Sequence, residues 1–116
     1  MMFDHLGLHV HDLAASARFY EAALGPLGHV AGSVDSETAS VGALWLYRAR
    51  DASKGGTHIA FVAPDRQSVE RFHAAGIAAG GRDNGAPGLR ADYGPRYYAA
   101  FLLDPDGNKV EAVCLK

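Results

Sequence analysis

Hydrophobic and polar residues alternate near the start of the chain, over residues 3–10, with His5 and His9 on the polar face. This period of two predicts a half-buried β-strand. Directly behind it, residues 13–24 carry apolar side chains at helical spacing, Asp12 stands where a helix cap belongs, and Gly25-Pro26 follows. The pattern therefore predicts a strand and then a helix that ends at about residue 24.

The same pattern occurs a second time, 53 residues further along the chain. When residues 5–23 are placed over residues 58–76, five of the 19 aligned positions are identical. Average composition would give about one identity by chance. We interpret the chain as an internal duplication within one domain, with one module at residues 1–52 and the other at residues 53–116.

The second copy repeats each local signal of the first. Residues 57–63 are expected to form a strand, Asp65 a cap, and the following residues a helix to about Ala79. Shorter strand-like pieces follow the two helices at residues 29–31, 41–48, 97–103 and 109–115. The Gly- and Pro-containing segment at residues 82–95 is predicted to be a loop.

The turn sequence Asp104-Pro-Asp-Gly predicts a hairpin between the last two strands. If the residues flanking the turn pair directly, Ala100 faces Glu111 and Tyr98 points into the cavity, where it is a candidate catalytic residue. A slip of one residue would place Tyr97 there instead.

The composition of the chain excludes some classes of partner but does not indicate a specific function. The chain has 116 residues with 11 basic and 13 acidic side chains, so its charge gives no indication of a nucleic-acid partner. Its longest apolar run, residues 97–103, is far too short to span a bilayer. A single cysteine, Cys114, suits a reducing compartment. We expect a soluble cytoplasmic domain that binds neither nucleic acid nor membrane.

Three residues predict a metal site. His5 and His58 occupy equivalent positions of the repeat, and a pseudo-twofold axis can bring such positions together. Glu111 lies among apolar residues of the last strand, where a carboxylate without a partner is costly. Two histidines and a carboxylate suit one divalent ion such as Fe, Mn, Zn or Ni. The alternative is that Glu111 lies at an exposed edge or pairs with Arg or Lys.

Three segments of the chain resemble the vicinal oxygen chelate superfamily. They are His-Leu-Gly-Leu-His-Val-His-Asp at residues 5–12, Thr-His-Ile-Ala-Phe-Val at residues 57–62 and Asp-Pro-Asp-Gly-Asn-Lys-Val-Glu at residues 104–111. The segments have the family's order and spacing, and the resemblance covers essentially the whole chain. This family includes glyoxalase I, fosfomycin-resistance transferases, extradiol dioxygenases and bleomycin-resistance proteins.

The resemblance implies an α+β fold of two paired βαβββ modules, which form a curved mixed sheet around a central cavity. It also implies metal ligands at His5, His58 and Glu111. It does not select a reaction, because the family carries out several reactions on one scaffold. Members of this size commonly pair modules between subunits, so the resemblance also implies a homodimer.

The chain departs from individual branches of that family. Glyoxalase I-like members have a fourth ligand, a carboxylate in the last strand of the first module. Trp45 stands about where that carboxylate would fall, and the fosfomycin transferases carry a hydroxyl residue where this chain has Gly7. Extradiol dioxygenases usually have a much longer chain, and bleomycin-type binders lack the metal ligands. These departures favour a three-ligand site and leave the reaction open.

Further candidates surround the expected site. His9 shares a face with His5 and is either a catalytic residue, as a general base or a support for the metal, or a hydrogen-bonded core histidine. The candidate substrate-binding residues are Trp45, Arg90, Tyr93 and Arg96, of which the last three are alternatively solvated loop residues.

Two classes of function remain at this point. The first is a metal-dependent enzyme that chelates two oxygens of a small substrate and stabilises developing negative charge, as a glyoxalase-like lyase, a thiol or epoxide transferase or a ring-cleaving dioxygenase. The second is a non-catalytic module of the bleomycin-resistance type that sequesters a small molecule.

Overall fold

The computed structural model describes residues 2–32, 35–52 and 54–116, which contain two helices, one 3₁₀ turn and seven strands. Neither helix in these ranges has the length and apolarity needed to cross a membrane. In chain order the elements are β1 (Leu6–Val10), α1 (Leu13–Leu24), the 3₁₀ turn (Gly25–Leu27), β2 (Thr38–Val41), β3 (Leu44–Arg48), β4 (His58–Val62), α2 (Arg66–Ala78), β5 (Arg82–Leu89), β6 (Tyr98–Leu103) and β7 (Lys109–Cys114).

Both helices begin after an aspartate, as the repeat predicts. Asp12 Oδ1 accepts a hydrogen bond from the Ala15 amide at 3.0 Å and caps α1. Asp65 accepts one from the Ser68 amide at 2.7 Å, and the Ser68 hydroxyl accepts one from the Asp65 amide in return. These bonds satisfy amides that the first turn of a helix leaves unpaired. The bonds from Ser68 also hold the pKa of Asp65 below its usual value.

Each module forms its own sheet with the same connections. The strand order is β1-β3-β2 in the first sheet and β4-β7-β6-β5 in the second, and β1 runs parallel to β3 as β4 does to β7. A helix follows the leading strand of each sheet and covers one of its faces. The predicted α+β class is therefore confirmed. β1 and β4 are edge strands of their own sheets, and the module boundary adjoins Ser53, which lies outside the described residues.

The two helices also pack against each other. Gly76 of α2 allows this close approach, because a Cβ there would lie 2.4 Å from Leu102 Cδ1 and 3.3 Å from Phe19 Cε1. Phe19 and Leu102 are fully buried. The helices thus share one core between the two sheets, while the faces of the sheets turned away from the helices carry the exposed histidines His9 and His58.

A buried polar network forms the turn between β6 and β7. Asp104, which is 2% exposed, accepts hydrogen bonds from the backbone amides of Asp106 and Asn108 and from the Asn108 side chain. Its Oδ2 atom also accepts a hydrogen bond from the Tyr20 hydroxyl of α1 at 2.5 Å. Burial, and then the Asp104 charge, raise the pKa of Tyr20 far above its usual value, so this hydroxyl keeps its proton.

The same turn holds two further parts of the chain. The His11 amide, just after β1, donates a hydrogen bond to Asp106 Oδ2 at 3.0 Å. The Thr57 amide, just before β4, donates one to Asn108 Oδ1 at 3.3 Å. One short turn therefore joins the first module, the start of β4 and the final hairpin.

The register of the hairpin differs from the predicted one because of this network. Leu103 pairs with Lys109 rather than with Asn108, and Phe101 rather than Ala100 pairs with Glu111. The reason is that Asn108 bonds back to Asp104 and remains part of the turn. As a result, the side chains of β6 that were expected on the same face as Glu111, such as Tyr98, lie on the opposite face.

Three other segments also differ from the prediction. The single strand expected at residues 41–48 is divided, because β2 ends at Val41 and β3 begins at Leu44. Of the segment expected to be a loop, residues 82–89 form the edge strand β5, with register shifts between Asp83 and Gly85 and between Gly85 and Gly88. Glycine permits these irregularities, since Gly85 has a φ of +151°. The strand expected at residues 29–31 is reduced to an isolated bridge between Ala31 and Val41.

We predict that Tyr20→Phe destabilises the protein by about 1–3 kcal/mol, because it removes a donor from a buried carboxylate. Urea denaturation at a fixed protein concentration measures the change. Ser16→Ala is the matched control on the same helix, since the buried Ser16 hydroxyl has no hydrogen-bond partner among the described residues. Equal stability of the Tyr20 and Ser16 variants would contradict the role given to the network.

Candidate metal centre

The metal-site residues that come together are His58 and Glu111. The parallel pairing of β4 with β7 places Ala60 beside Glu111 and His58 beside Lys109, on the face away from α2. The Glu111 carboxylate is 3% exposed, and its Oε1 atom lies 2.9 Å from His58 Nε2. Glu111 is therefore neither at an exposed edge nor paired with Arg or Lys, which were the alternatives to a metal ligand.

Tyr97 completes the surroundings of the carboxylate. Its hydroxyl donates a hydrogen bond to Glu111 Oε2, the oxygen that His58 does not contact. This bond, together with burial and the Glu111 charge, raises the pKa of Tyr97 to about 12. At neutral pH the hydroxyl is therefore protonated and acts as a donor. The ring of Tyr93 packs edge-on against that of Tyr97, with centroids 5.2 Å apart.

His5 stays apart from this pair within one chain. Its Nδ1 atom lies 2.8 Å from Asp4 Oδ1, and its ring packs edge-on against Trp45 at 6.1 Å. Across residues 2–32, 35–52 and 54–116, no three His, Cys, Asp or Glu side chains lie close enough to hold a metal ion together. The expected convergence of His5 with His58 at a pseudo-twofold axis is therefore not found in the single chain.

An apolar groove lies beside His5, between residues of the first sheet and β4. It has a volume of about 350 Å³, and Leu6 and Phe61 are among the residues that line it. Met2, Phe3 and Val62 also border it, and they are 87%, 56% and 79% exposed. The two leading strands thus lie side by side without sharing a sheet, and their histidines have no common centre.

The register of the first sheet fixes the place of Trp45. Trp45 pairs with Gly7 across β1 and β3, as Glu111 pairs with Ala60 across β4 and β7. Gly7 and Ala60 are equivalent in the repeat, because they are 53 positions apart. Trp45 therefore occupies, in the first module, the position that Glu111 has in the second.

The two candidate catalytic residues lie in different surroundings. His9 is on the open face of β1, with its ring 5.8 Å from that of Tyr47. Tyr98 points the other way, towards α2, where its hydroxyl donates a hydrogen bond to Glu70 and Arg66 stacks on its ring. The register shift of the hairpin is the cause, and it brings Tyr97 rather than Tyr98 to Glu111.

Two of the candidate substrate-binding residues of the second module lie next to the pair. Arg90 and Tyr93 line a cavity of about 430 Å³ together with His58. Arg96, which was grouped with them, is not among the residues that line it. Phe101 and Lys109 also line this cavity. Sequence reasoning missed Phe101 because the assumed register placed it on the face opposite to Glu111. Lys109 was expected on the same face as Glu111 but was not identified as a site residue.

Comparison with known proteins identifies the family. The profile of the Glyoxalase/Bleomycin resistance protein/Dioxygenase superfamily matches residues 2–112, so the chain belongs to this superfamily. No curated protein sequence matches the chain.

Solved structures agree with this assignment. A glyoxalase/bleomycin resistance protein from Albidiferax ferrireducens is 33% identical, with 98% of each chain covered and a TM-score of 0.84. A glyoxalase-related enzyme from Fulvimarina pelagi shares the fold at 20% identity and a TM-score of 0.76, with 97% of this chain and 87% of that chain covered. A V278E mutant of glyoxalase I from Zea mays is 26% identical with a TM-score of 0.69, and 95% of this chain matches 44% of it.

We predict that Tyr97→Phe lowers the free energy of unfolding by about 1 kcal/mol or more, because the buried Glu111 carboxylate loses a donor. Tyr98→Phe, the same change one residue away, removes only a surface hydrogen bond to Glu70 and should cost less. Thermal unfolding of the metal-free proteins compares the two. A larger loss in the Tyr98 variant would contradict the observed register.

Proposed function

We propose that the protein is a metal-dependent enzyme of this superfamily, in which His5, His58 and Glu111 hold one divalent cation. The observation that carries the proposal is the buried Glu111 carboxylate, paired with His58 on an open sheet face. A buried carboxylate carries a desolvation cost, and a neighbouring partner often offsets that cost only in part. An imidazole nitrogen and a carboxylate oxygen directed at one another are donors that a cation can share.

The donor set suits Fe, Mn, Zn or Ni, and its small number leaves positions free for a substrate. A bound cation of this kind supplies Lewis acidity towards substrate oxygens. Tyr97 holds the Glu111 carboxylate in a fixed orientation, and Tyr93 packs behind Tyr97. We assign the positioning role to Tyr97 and no catalytic role to Tyr98, while His9 remains the candidate proton acceptor from the first module.

We further propose that His5 reaches the site from a second copy of the chain, which makes the protein a homodimer. His58 and Glu111 form an incomplete site, and the His5 of the same chain is turned to Asp4 and Trp45. The exposed apolar residues Phe3 and Val62 border the groove beside it and would be covered in such a pair. Trp45 would then contribute an aromatic wall to the substrate cavity.

The proposed substrate is a small oxygen-bearing molecule, and the proposed compartment is the cytoplasm, which suits a chain whose only cysteine, Cys114, is buried. The competing function is a metal-independent binder of small molecules, and metal content separates the two.

We predict that wild-type protein binds a divalent cation and that the metal raises its melting temperature by mass action. His58→Ala and His5→Ala should abolish this rise, because each removes one of three protein ligands. Glu111→Gln should reduce it, since the shape of the side chain remains and its charge is lost. Metal analysis and thermal unfolding, with and without added Mn, Fe, Zn or Ni salts, measure both effects.

His73→Ala is the matched control, because His73 lies on α2 and its Nε2 atom contacts Asp83 at 2.8 Å, away from the pair. It should bind metal as the wild type does. Equal metal binding by all four variants would show that the site is assigned wrongly. A wild type that takes up no metal would favour the binder.

The shared site is tested by mixing two variants. His5→Ala and Glu111→Gln should each bind metal poorly alone, whereas a dimer of one chain of each contains one intact site. After unfolding and refolding together, about a quarter of the sites should recover wild-type affinity if the chains pair at random. Sedimentation as a monomer at micromolar concentration, or no recovery on mixing, would contradict a site shared between subunits.

A further inference from the structure

The cavity beside His58 is predominantly basic and aromatic. Two of its side chains, Arg90 and Lys109, carry positive charge, and two others, Tyr93 and Phe101, are aromatic. Its volume of about 430 Å³ lies within the range of small-molecule sites. None of the residues that line it is an Asp or a Glu.

Arg90 is held in place within this cavity. One guanidinium nitrogen donates a hydrogen bond to the Ala86 carbonyl at 2.6 Å, and the group stacks on the Phe101 ring at 5.3 Å from its centroid. A guanidinium has five N–H donors, so this fixed group keeps donors free for another acceptor.

Two glycines of β5 make room for that guanidinium. A Cβ at Gly88 would lie 3.1 Å from Arg90 Nη1, and one at Gly85 would lie 3.3 Å from Arg90 Nη2 and 2.8 Å from Phe101 Cδ2. The Gly- and Pro-containing composition of this strand therefore has a local consequence. The absence of side chains at Gly85 and Gly88 leaves space for the Arg90 guanidinium beside the Phe101 ring.

The positive charges of this cavity are not neutralised by the protein. Among the described residues, neither Arg90 nor Lys109 forms an ion pair. Two nearby carboxylates have partners other than Arg90 and Lys109. Glu111 is bonded to His58 and Tyr97. Asp83 accepts hydrogen bonds from His73 and from the Gly85 amide.

We propose that this cavity is an anion subsite that binds the carboxylate-type head of a small, flat organic acid. The head lies between Arg90 and Lys109, and the flat body packs against Phe101 and Tyr93. This specifies the substrate class of the proposed function and rests on it, because His58 belongs both to the cavity and to the metal-ligand pair. A substrate held in this way would have its remaining oxygens directed towards the cation that His58 and Glu111 would hold.

The test uses metal-free protein, so that it is independent of metal binding. Benzoate is the probe and benzamide is its neutral counterpart of the same shape. Nuclear magnetic resonance titration at low salt should give saturable benzoate binding with shifts at Phe101 and Tyr93, and much weaker binding of benzamide. Arg90→Gln should weaken benzoate binding about 10-fold or more, since it removes a charged donor. Arg71→Gln, which removes the same charge from α2 on the other face of the sheet, should leave it within about twofold.

Gly88→Ala separates the position of the guanidinium from its charge. The added methyl displaces Arg90 Nη1 and changes no charge, so benzoate binding should weaken in this variant too. Lys109→Gln should weaken it as well, with the folded state checked by thermal unfolding in each case.

Absence of saturable benzoate binding, equal binding of benzamide, or equal loss in the Arg90 and Arg71 variants would overturn the subsite. If benzoate binds as expected but the wild type takes up no metal, the anion subsite stands and the metal-dependent function fails. If the wild type binds metal but not benzoate, the metal-dependent function stands and the anion subsite fails.

Discussion

The buried carboxylate of Asp104 is the constraint on which the functional face depends. It holds Asn108 within the turn, and its bond to Tyr20 ties the turn to the helix of the other module. Because Asn108 stays in the turn, β7 starts its pairing at Lys109, and Glu111 falls opposite Phe101 on the open face. A pairing shifted by one residue would change which side chains of β6 share a face with Glu111. The hydrogen-bond network of the turn thus determines which residues lie beside the Glu111 carboxylate.

Local sequence patterns predicted the parts of the fold that depend on local interactions. The caps Asp12 and Asp65 and the helical spacing behind them gave both helices, because capping and amphipathic periodicity act within a few residues. The repeat indicated two similar modules, because each copy carries the same local strand, cap and helix signals. The hairpin register was not predictable in this way, since it depends on bonds from Asp104 to Asn108 and Tyr20. The Gly-rich strand β5 was missed because glycine and proline favour a loop locally, whereas the strand depends on its non-local pairing with β6.

In the candidate site, too, the part formed within one module was predictable and the part that joins the two modules was not. His58 and Glu111 belong to neighbouring strands of one module, and their pairing follows from the register of β4 and β7. His5 belongs to the other module, and its distance from them depends on how two separate sheets pack. No pattern within either module encodes that arrangement, because the repeat specifies equivalent positions without specifying which copies meet. In the structure, β1 and β4 are edge strands of separate sheets, and an apolar groove lies between them.

The two modules have diverged in the chemistry of equivalent positions. In the second, the strand next to the leading strand presents Glu111 to His58, and in the first it presents Trp45 to His5. A carboxylate at both positions would surround a cation with four charged or imidazole ligands, whereas one tryptophan removes a negative charge and adds an apolar surface. The proposed donor set would carry less charge and would leave more of a cation's coordination positions to exogenous oxygens. The basic cavity around Arg90 is consistent with this distribution, because an anionic ligand would supply the negative charge that the first module lacks.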